Sequence, residues 1–482
     1  MKRFFLLLYM MSATFVCFSD AGDAHVKAPR NSLADCGGCA GNTLATLDNI
    51  SQSLCCLKNE ICCIGTMVNC PIQTFIHQAD IPYVITKPGV YVVCEDLNNT
   101  DPLLPAISIQ SDNVTLDLAH NTVASNSTYA IDVVNAKHIN IFNGFLKTVS
   151  APDLHVDTVA QLFVSHVAVS QSPDAAFVMN NILYGIFEHC SFDNSINVAS
   201  GFYPAIFLVT GISDGLIIRN CEIINAVLDG FRLDLSSGAG YGISFENCAA
   251  YTTENLYNGI AFLVVNKGPL VTFYNCQATN FNNFGFLIRG CSAVTLRQCQ
   301  SLGNRLAGIL IENSDQVVVD GCVLEQVQPG MIFFQVTDLL ISNSFCTGPG
   351  FTGFFYNGIT INTCQRVNIN TTVVENFDGS GIFISNSQAA SCDSCITKSC
   401  SKGFNLDQST TILKNCVAQS NSTGIFGAAD ALRPIAVKDC LCAQNFIGID
   451  TNGTSFTILD TRSGVPLNTV VDSVAGSTVI TY

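Results

Sequence analysis

Tryptophan is absent from the 482-residue sequence, and charged residues make up only 12% of it. Indole rings are large, rigid stacking platforms, so their absence disfavours a glycan-processing enzyme. It does not exclude one, because 12 Tyr and 32 Phe remain. The few charges are mostly acidic and give a formal net charge of −16, without any run of basic residues. This balance argues against nucleic acid or an anionic membrane as the partner.

Long apolar runs are also absent, except near the amino terminus. There Lys2 and Arg3 precede an apolar run at residues 4–18, and a small-x-small cleavage signal follows at residues 19–21. The pattern predicts a secretory signal peptide over residues 1–21. The run is too short for a stable membrane anchor, and the residues on either side of it are not typical of one. We therefore expect an exported protein that is secreted or held at the cell surface, in a periplasmic or extracellular compartment.

Residues 22–97 form a segment of different composition that is rich in cysteine. Its eight candidates for disulfide bonds are Cys36, Cys39, Cys55, Cys56, Cys62, Cys63, Cys70 and Cys94. An even number in an exported chain implies disulfide pairing, whose connectivity the sequence does not give. Zinc is an alternative, since Cys36 and Cys39 have the spacing of half a zinc site. No second Cys-x-x-Cys follows at the required distance, so we assign no metal here.

The same segment contains a predicted amphipathic helix. Its apolar residues recur at intervals of 3 or 4 residues: Leu47, Ile50, Leu54, Leu57, Ile61 and Ile64. This spacing is typical of a helix with one apolar face. Such a helix would cover the first edge of a solenoid, which would otherwise pair with other chains. An oligomerising coil is the alternative. Residues 82–97 read as two strands around a Pro-Gly turn, which we expect to begin the β-structure.

From about residue 110 onward the sequence repeats one module of short strands. The clearest copy is VTFYNCQATNFNNFGF at residues 271–286, and related copies begin at Val294 and Val318. Each copy reads as an alternating strand, an Asn-Cys corner, a second short strand, a polar loop and a Gly that opens a third strand. No copy has room for ten residues at helical spacing, which disfavours leucine-rich and ankyrin solenoids. The module cannot bury its own apolar side, so the repeat predicts a stacked β-solenoid.

One residue of each copy, at the corner between the first and second strands, marks where successive repeats lie in the sequence. Successive residues at this position are Gly144, His166, Cys190, Cys221, Cys248, Cys276, Cys299, Cys322, Ser344, Thr371, Cys395, Cys416 and Cys440. Asn often precedes the position, as at Asn220 and Asn247, because Asn tolerates the left-handed backbone that a tight corner needs. A Gly, for example Gly230 or Gly259, is expected to open the third strand of each coil.

The corner cysteines are predicted to stay unbonded. Side chains in a parallel ladder point the same way, whereas a disulfide needs its two Cβ atoms turned toward each other. A buried cysteine also fits a narrow corner as a small hydrophobic residue. The inward column of free thiols is expected at Cys248, Cys276, Cys299 and Cys322.

The repeat pattern resembles the right-handed parallel β-helix of the pectate-lyase-like superfamily over roughly residues 105–480. The resemblance implies an all-β, right-handed solenoid of about 13–14 coils, in line with the general preference for right-handed parallel crossovers. The chain then divides into a signal peptide (1–21), a Cys-rich helical cap with the first strands (22–97) and the parallel β-helix (98–482). Extra residues of the longer copies are expected in the loop after the corner.

The catalytic patterns of polysaccharide-cleaving relatives are not found in the sequence. Polygalacturonases of this superfamily carry an Asn-Thr-Asp pattern, an Asp-Asp pair, a Gly-His-Gly and an Arg-x-Lys. Only one of these carboxylates has a counterpart in a similar position of this sequence, and that counterpart is Asp229. All seven histidines lie at or before His189, so none can serve the later coils. No clustered Asp set predicts the calcium site of the lyases. We expect neither a cofactor nor a metal.

The alternation of the third strand defines an outward face. One row is expected to run through Arg232, Ala261, Leu287, Leu310, Ile332, Thr360 and Phe383. Its neighbour is expected to run through Asp234, Leu263, Arg289, Glu312, Phe334, Asn362 and Ser385. The candidate groove, with polar groups around an exposed apolar patch, consists of Arg232, Asp234, Arg289, Glu312, Leu310 and Phe334. The alternative is a set of surface ion pairs, each contributing about 0–1 kcal/mol.

Two functions remain open. The missing catalytic set favours an exported, non-catalytic β-helix, an adhesin-like or structural surface protein that binds a glycan or a cell-surface protein. The alternative is a polysaccharide lyase, hydrolase or epimerase with a diverged active site, which the fold alone suggests. We expect the outward third-strand face to bind the partner, and we find no set of groups on it arranged to act as acid and base. The sequence does not predict the oligomeric state.

Overall fold

The computed structural model describes residues 73–480, apart from short gaps. The gaps are residues 127–128, 150–151, 171–174, 194–204, 214, 227–228, 236–241, 254–258, 266–269, 351–352, 429–433, 453–455, 460, 465–468 and 472–477. The predicted signal peptide, the predicted helix and seven of the eight candidate disulfide cysteines lie outside the described residues and stay predictions. Cys94 is the eighth, and it lies half-buried directly after the strand Gly89–Val93.

The described chain winds into a right-handed solenoid, in which every strand pairs in parallel with strands of the neighbouring turns. Each turn contributes to three sheets, which we call the first-strand, second-strand and third-strand sheets in the order of the repeat. Three long strands, Ile139–Thr148, Leu154–Ser170 and Phe177–Glu188, continue through corners and pair in more than one sheet. The single short 3-10 helix among the described residues is Gln78–Asp80. The predicted all-β solenoid is confirmed.

The strand bounds follow the repeat. The first-strand sheet contains Gln73–Ile76, Gly89–Val93, Val114–Asp117, Ile139–Thr148, Leu154–Ser170, Phe177–Glu188, Leu216–Arg219, Ile243–Glu246, Leu270–Tyr274, Ala293–Arg297, Asp315–Asp320, Thr337–Ser342, Gln365–Asn370, Gln388–Asp393, Thr411–Lys414, Ile435–Lys438, Phe456–Leu459 and Thr478–Ile480. The second-strand sheet adds Leu97–Asn99, Thr122–Ser125, Ser191–Asp193, Glu222–Ile224, Ala249–Tyr251, Gln277–Thr279, Gln300–Leu302, Val323–Glu325, Phe345–Thr347, Val373–Glu375, Ile396–Lys398, Val417–Gln419, Leu441–Ala443 and Arg462–Gly464. The third-strand sheet adds Tyr83–Ile85, Ile107–Ile109, Ile131–Ala136, Ala205–Gly211, Asp229–Leu235, Phe262–Val265, Phe284–Arg289, Ala307–Glu312, Met331–Phe334, Ile359–Asn362, Ser380–Ser385, Lys402–Asp407, Thr423–Ala428, Ile447–Asp450 and Thr469–Val471.

The corner between the first and second strands depends on residues in the left-handed conformation. Asn220, Asn247 and Asn275 have φ values of 53°, 53° and 51° there, as the sequence predicts. The side-chain amide of Asn247 donates to Oδ1 of Asn220 at 3.1 Å, and that of Asn275 donates to Oδ1 of Asn247 at 2.9 Å. These bonds tie successive corners together along the solenoid.

Two corner assignments from the sequence are wrong by one residue. His166 and Thr371 were expected at the inward corner position, but both have the left-handed backbone of the preceding position, with φ values of 52° and 48°. The inward residues are Val167 and Thr372, which are buried. The shift arises because residues other than Asn also take the left-handed position in this protein, and no Asn marks the corner at positions 166 and 371.

The interior is formed by the inward side chains of all three sheets. The predicted thiol column is confirmed, since Cys248, Cys276, Cys299 and Cys322 are buried and carry no disulfide. Burial raises the pKa of the Cys276 thiol, and contacts with the neighbouring thiols add to this rise. The largest fully buried side chains are Phe177, Phe187, Phe192, Phe207, Phe231, Phe245, Phe262, Phe273, Phe281, Phe286, Phe333 and Phe377. The inward-facing apolar side chains of each repeat therefore form the core.

Candidate functional site

The outward face of the third-strand sheet follows the predicted rows except at one coil. Arg232 pairs with Leu263, and Asp234 pairs with Val265, instead of with Ala261 and Leu263. Ala261 takes the position that Gly230 has in the preceding coil, where a Cβ on Gly230 would lie 2.6 Å from the carbonyl oxygen of Ala261. The small residue at this tight position is therefore an alanine, and the expectation that Gly259 opens the strand is wrong.

The candidate groove residues form two ion-paired groups. Arg289 and Glu312 lie opposite each other on neighbouring coils, with Nε and Oε2 2.6 Å apart. Arg232 and Asp234 lie on one strand, where Nε donates to Oδ2 at 2.7 Å. Between the two groups Val265 occupies the same row. The ion pairs are those that the alternation predicts, and they do not form one continuous polar cluster.

A second carboxylate completes the group around Arg232. Nη1 of Arg232 donates to Oδ2 of Asp229 at 3.0 Å, and the backbone N–H of Ile260 donates to Oδ1 of Asp229 at 2.8 Å. Burial raises the pKa of Asp229, and these two donors offset only part of the rise. Burial alone would lower the pKa of Arg232, but the carboxylates of Asp234 and Asp229 raise it. Both carboxylates thus keep the guanidinium charged and fixed in position.

The apolar part of the face is covered, which corrects the expected exposed patch. Leu287 and Leu310 are only 3% and 6% exposed and belong to a cluster with Ile260 and Leu263. Val265, Phe284 and Ile332 pack against this cluster from its margin. Phe334 is 36% exposed and is the one apolar member of the candidate groove that a ligand can reach. Leu310 is therefore a packing residue and not a contact residue.

An Asp–His pair that the sequence analysis missed lies on earlier coils of the same face. Asp132 and His155 are register partners on the third-strand sheet, and Nδ1 of His155 lies 2.7 Å from Oδ1 of Asp132. The ring of Tyr129 stacks on the imidazole with centroids 4.4 Å apart and planes inclined by 12°. A carboxylate at Nδ1 fixes the orientation of the imidazole and leaves Nε2 as the nitrogen for proton transfer.

A row of polar side chains runs beside this pair, two residues further along each strand, while the row of the pair itself continues through Val178 and Leu208. Asp157, Asn180, Thr210 and Asp234 follow one another in register on four successive coils. The amide of Asn180 donates to Oδ1 of Asp157 at 2.9 Å, and the hydroxyl Oγ1 of Thr210 donates to Oδ1 of Asn180 at 3.3 Å. The signal in the sequence was the 23-residue distance from Asp132 to His155, which equals one coil. The predicted rows begin at Arg232, because the corner cysteines make the repeat clear in that part of the sequence.

The described residues contain no group of three or more His, Cys, Asp or Glu side chains arranged to hold a metal ion. The part of the chain that the structure describes also has no helix long and apolar enough to cross a membrane. The arrangement offers hydrogen-bonding groups in a line, a fixed imidazole and one exposed aromatic ring.

Residues 205–357 match the family model of the right-handed β-helix region. No curated protein matches the sequence significantly. Three solved structures that resemble the fold have 10–13% sequence identity to the chain. The A-module of mannuronan C-5 epimerase AlgE4 from Azotobacter vinelandii has a TM-score of 0.37, with 84% of this chain and 94% of that chain covered. The periplasmic alginate epimerase AlgG has a TM-score of 0.35 and coverages of 81% and 84%.

The third structure is PfbA, a surface adhesin of Streptococcus pneumoniae, with a TM-score of 0.28, a sequence identity of 10% and coverages of 78% and 82%. These neighbours include enzymes as well as an adhesin, so likeness at this level assigns no activity to the chain. The chain has the right-handed parallel β-helix fold that its resemblance to the pectate-lyase-like superfamily implies.

Proposed function

We propose that the chain is an exported, non-catalytic binding protein that holds a linear glycan along the outward face of its third-strand sheet. The observation that carries this proposal is the polar row Asp157, Asn180, Thr210 and Asp234. Neighbouring coils are about 4.8 Å apart, so the row presents one hydrogen-bonding group per coil along the solenoid axis. An extended polymer with regularly spaced hydroxyl groups fits such a row.

The charges on this face select among glycans. The carboxylates of Asp132, Asp157 and Asp234 accept hydrogen bonds from hydroxyl or amino groups, and Arg232 is already bound to two carboxylates. A polyuronate would bring like charges against these carboxylates, at a cost in affinity. A neutral glycan or one with amino sugars is therefore the ligand class that the face accepts. The cell surface is the proposed place of binding, and its support is the amino-terminal sequence.

Titration calorimetry of the purified protein tests this function. The ligands are a soluble mixed-linkage glucan, a chitosan oligosaccharide and polygalacturonate. We expect binding of the first or second ligand and none of the third. Asn180→Ala should weaken binding by about threefold to tenfold, the net value of one hydrogen bond of about 0.5–1.5 kcal/mol. Phe334→Ser should weaken it further by removing the exposed ring.

Asn368→Ala is the matched control for the binding test, since Asn368 is an exposed residue of the first-strand sheet. Its affinity should equal that of the unmodified protein. Equal affinity in Asn180→Ala, or binding of polygalacturonate alone, would contradict the proposal.

A second candidate function is a glycan-modifying enzyme, and the pair Asp132–His155 favours it. With Nδ1 held by the carboxylate, Nε2 of His155 can accept a proton from a sugar hydroxyl, from a water molecule or from a ring carbon. Hydrolysis, elimination and epimerisation all need such a base. The ring of Tyr129 stacks on one face of the His155 imidazole and limits the rotation of that ring.

The enzyme reading is tested by incubating the protein with the same glycans and with alginate. New reducing ends, unsaturated products and deuterium incorporation from D₂O report the three reactions. If turnover occurs, His155→Gln should reduce it by about 10²–10⁴-fold. His138→Gln is the control, because His138 lies exposed on a left-handed corner away from this pair. Turnover that survives His155→Gln would place the chemistry elsewhere, and a lack of turnover on every glycan would leave the binding function.

A further inference from the structure

A groove lies at the turn between the second and third strands of four successive coils. It has a volume of about 870 Å³, within the range of about 300–1,000 Å³ that is typical of ligand sites. Its residues come from the loops that precede the strands Phe284–Arg289, Ala307–Glu312, Met331–Phe334 and Ile359–Asn362. None of them belongs to the polar row or to the Asp132–His155 pair.

The polar lining of this groove consists of amides. The five amide side chains are Asn280, Asn282, Asn283, Gln326 and Gln328. Arg305 is the one charged residue that lines the groove, and its Nη1 donates to Oδ1 of Asn282 at 3.3 Å. No carboxylate lines it, although the chain has a formal net charge of −16. An amide offers both a donor and an acceptor, which matches ligands whose polar groups are hydroxyls or amides.

One wall of the groove is aromatic. Tyr356 lines it, and the ring of Phe354 lies 5.9 Å from the ring of Tyr356. Phe354 and Phe355 are 64% and 86% exposed beside this wall, and Leu306 on the lining is 48% exposed. Aromatic rings at a polar site provide flat apolar surface at a low entropic cost. Amides combined with aromatic rings match a molecule with polar edges and apolar faces, such as a pyranose.

We propose that this groove binds an uncharged oligosaccharide, with the amides contacting its hydroxyl or acetamido groups and Tyr356 stacking on one sugar face. The site is separate from the third-strand face and uses none of its residues. A groove that spans four coils accommodates several sugar units along the solenoid axis, since the coils are about 4.8 Å apart. Arg305 orients Asn282 and is not required for the charge balance of such a ligand.

The test uses the full chain and titration calorimetry with cellohexaose, chitohexaose and a trigalacturonate. We expect one of the uncharged hexasaccharides to bind and the trigalacturonate not to bind. Tyr356→Ala should lower the affinity about tenfold, which corresponds to 1.4 kcal/mol. Leu306→Ala is a second groove variant, expected to lower the affinity less. Tyr274→Ala is the control, because Tyr274 is 46% exposed and lies outside the groove.

Arg305→Gln separates the two possible charge classes of ligand. The affinity for an uncharged oligosaccharide should change by less than about threefold, whereas an anionic ligand would lose its only cationic partner. Asn180→Ala should leave binding at this groove intact, so failure of the third-strand proposal and of this one are distinguishable. Binding of the trigalacturonate alone, no binding of either hexasaccharide, or unchanged affinity in both Tyr356→Ala and Leu306→Ala would overturn the inference.

Discussion

Replacing Phe273 by alanine tests how the interior stabilises the solenoid. Its fully buried ring stacks on that of Phe245, with centroids 4.8 Å apart and planes inclined by 4°. It also meets Phe262 and Phe286 edge-to-face, at 5.7 and 5.4 Å. A Phe→Ala change in a core costs about 3–5 kcal/mol through lost burial and the cavity left behind. Each ring pair adds about 0.5–1.5 kcal/mol beyond burial. We therefore expect a loss at the upper end of the range or above it.

Phe333→Ala is the matched control for this experiment. Phe333 is equally buried, but its register partners are the aliphatic residues Ile311 and Ile361. The loss in Phe273→Ala should exceed that in Phe333→Ala by at least about 1 kcal/mol. Native-state hydrogen exchange measures both losses coil by coil, and each should be greatest within neighbouring coils because solenoid coils contact mainly their neighbours. Equal losses, or an equal loss in every coil, would refute the reasoning.

Cys276 and Cys299 should resist alkylation in the native protein because both thiols are buried, and they should react once the protein is unfolded. Detection of a disulfide-bridged pair of peptides by mass spectrometry would contradict this prediction. Gly330→Ala should lower the free energy of unfolding by about 1–3 kcal/mol in urea titrations, because the added Cβ would overlap the next coil; an unchanged midpoint would refute it. The hydrogen bond that Asn343 donates to Asp320 lowers the pKa of this carboxyl group in the folded protein. The carboxylate therefore stabilises the fold above its unfolded pKa of about 4. This contribution is lost as the pH falls through the folded pKa. Asp320→Asn should therefore be destabilising near pH 6 and nearly neutral near pH 2.5, and a constant difference in stability between these pH values would contradict this.

The fold could be predicted because the inward half of each coil obeys strict physical requirements. Phe245, Phe273 and Cys276 recur at fixed positions, since each must fill the same narrow interior at successive levels. The tight corner demands a left-handed residue, which Asn247 and Asn275 supply. These requirements repeat with every coil, so they leave a periodic trace in a single sequence. The predicted column of thiols follows from the same logic.

The register predicted from the sequence is wrong where another residue stands in place of the Asn or Gly that usually recurs in the repeat. Ala261 stands in register with Gly230, where other coils open the third strand with a glycine. His166 and Thr371 take the left-handed corner that Asn usually holds. A pattern of residue names misses these equivalences. The backbone pairing shows them because it reports conformation and not identity.

The candidate site was less predictable, since outward side chains are free of the periodic constraint. Asp132 and His155 resemble no repeated pattern, and their contact requires only that one coil bring them together. Sequence distance could have suggested the pair once the coil length was known. The ion pair of Arg289 with Glu312 was found in this way, because the repeat is regular there. Pairs outside the regular copies remained hidden.

Exposure of the outward face decides what it can bind, and alternation does not give exposure. Leu310 and Phe334 both point outward from neighbouring coils, yet Leu310 is 6% exposed and Phe334 is 36% exposed. Leu310 lies between Leu287 and Ile332 in its row, so apolar neighbours enclose it. Phe334 follows Glu312, so its ring stays accessible beside a polar group. Leu310 is therefore withdrawn from any ligand, and Phe334 is the exposed aromatic residue of the candidate groove. The amide, hydroxyl and carboxylate groups of the polar row are the contacts on which the proposed binding of a hydroxyl-rich glycan rests.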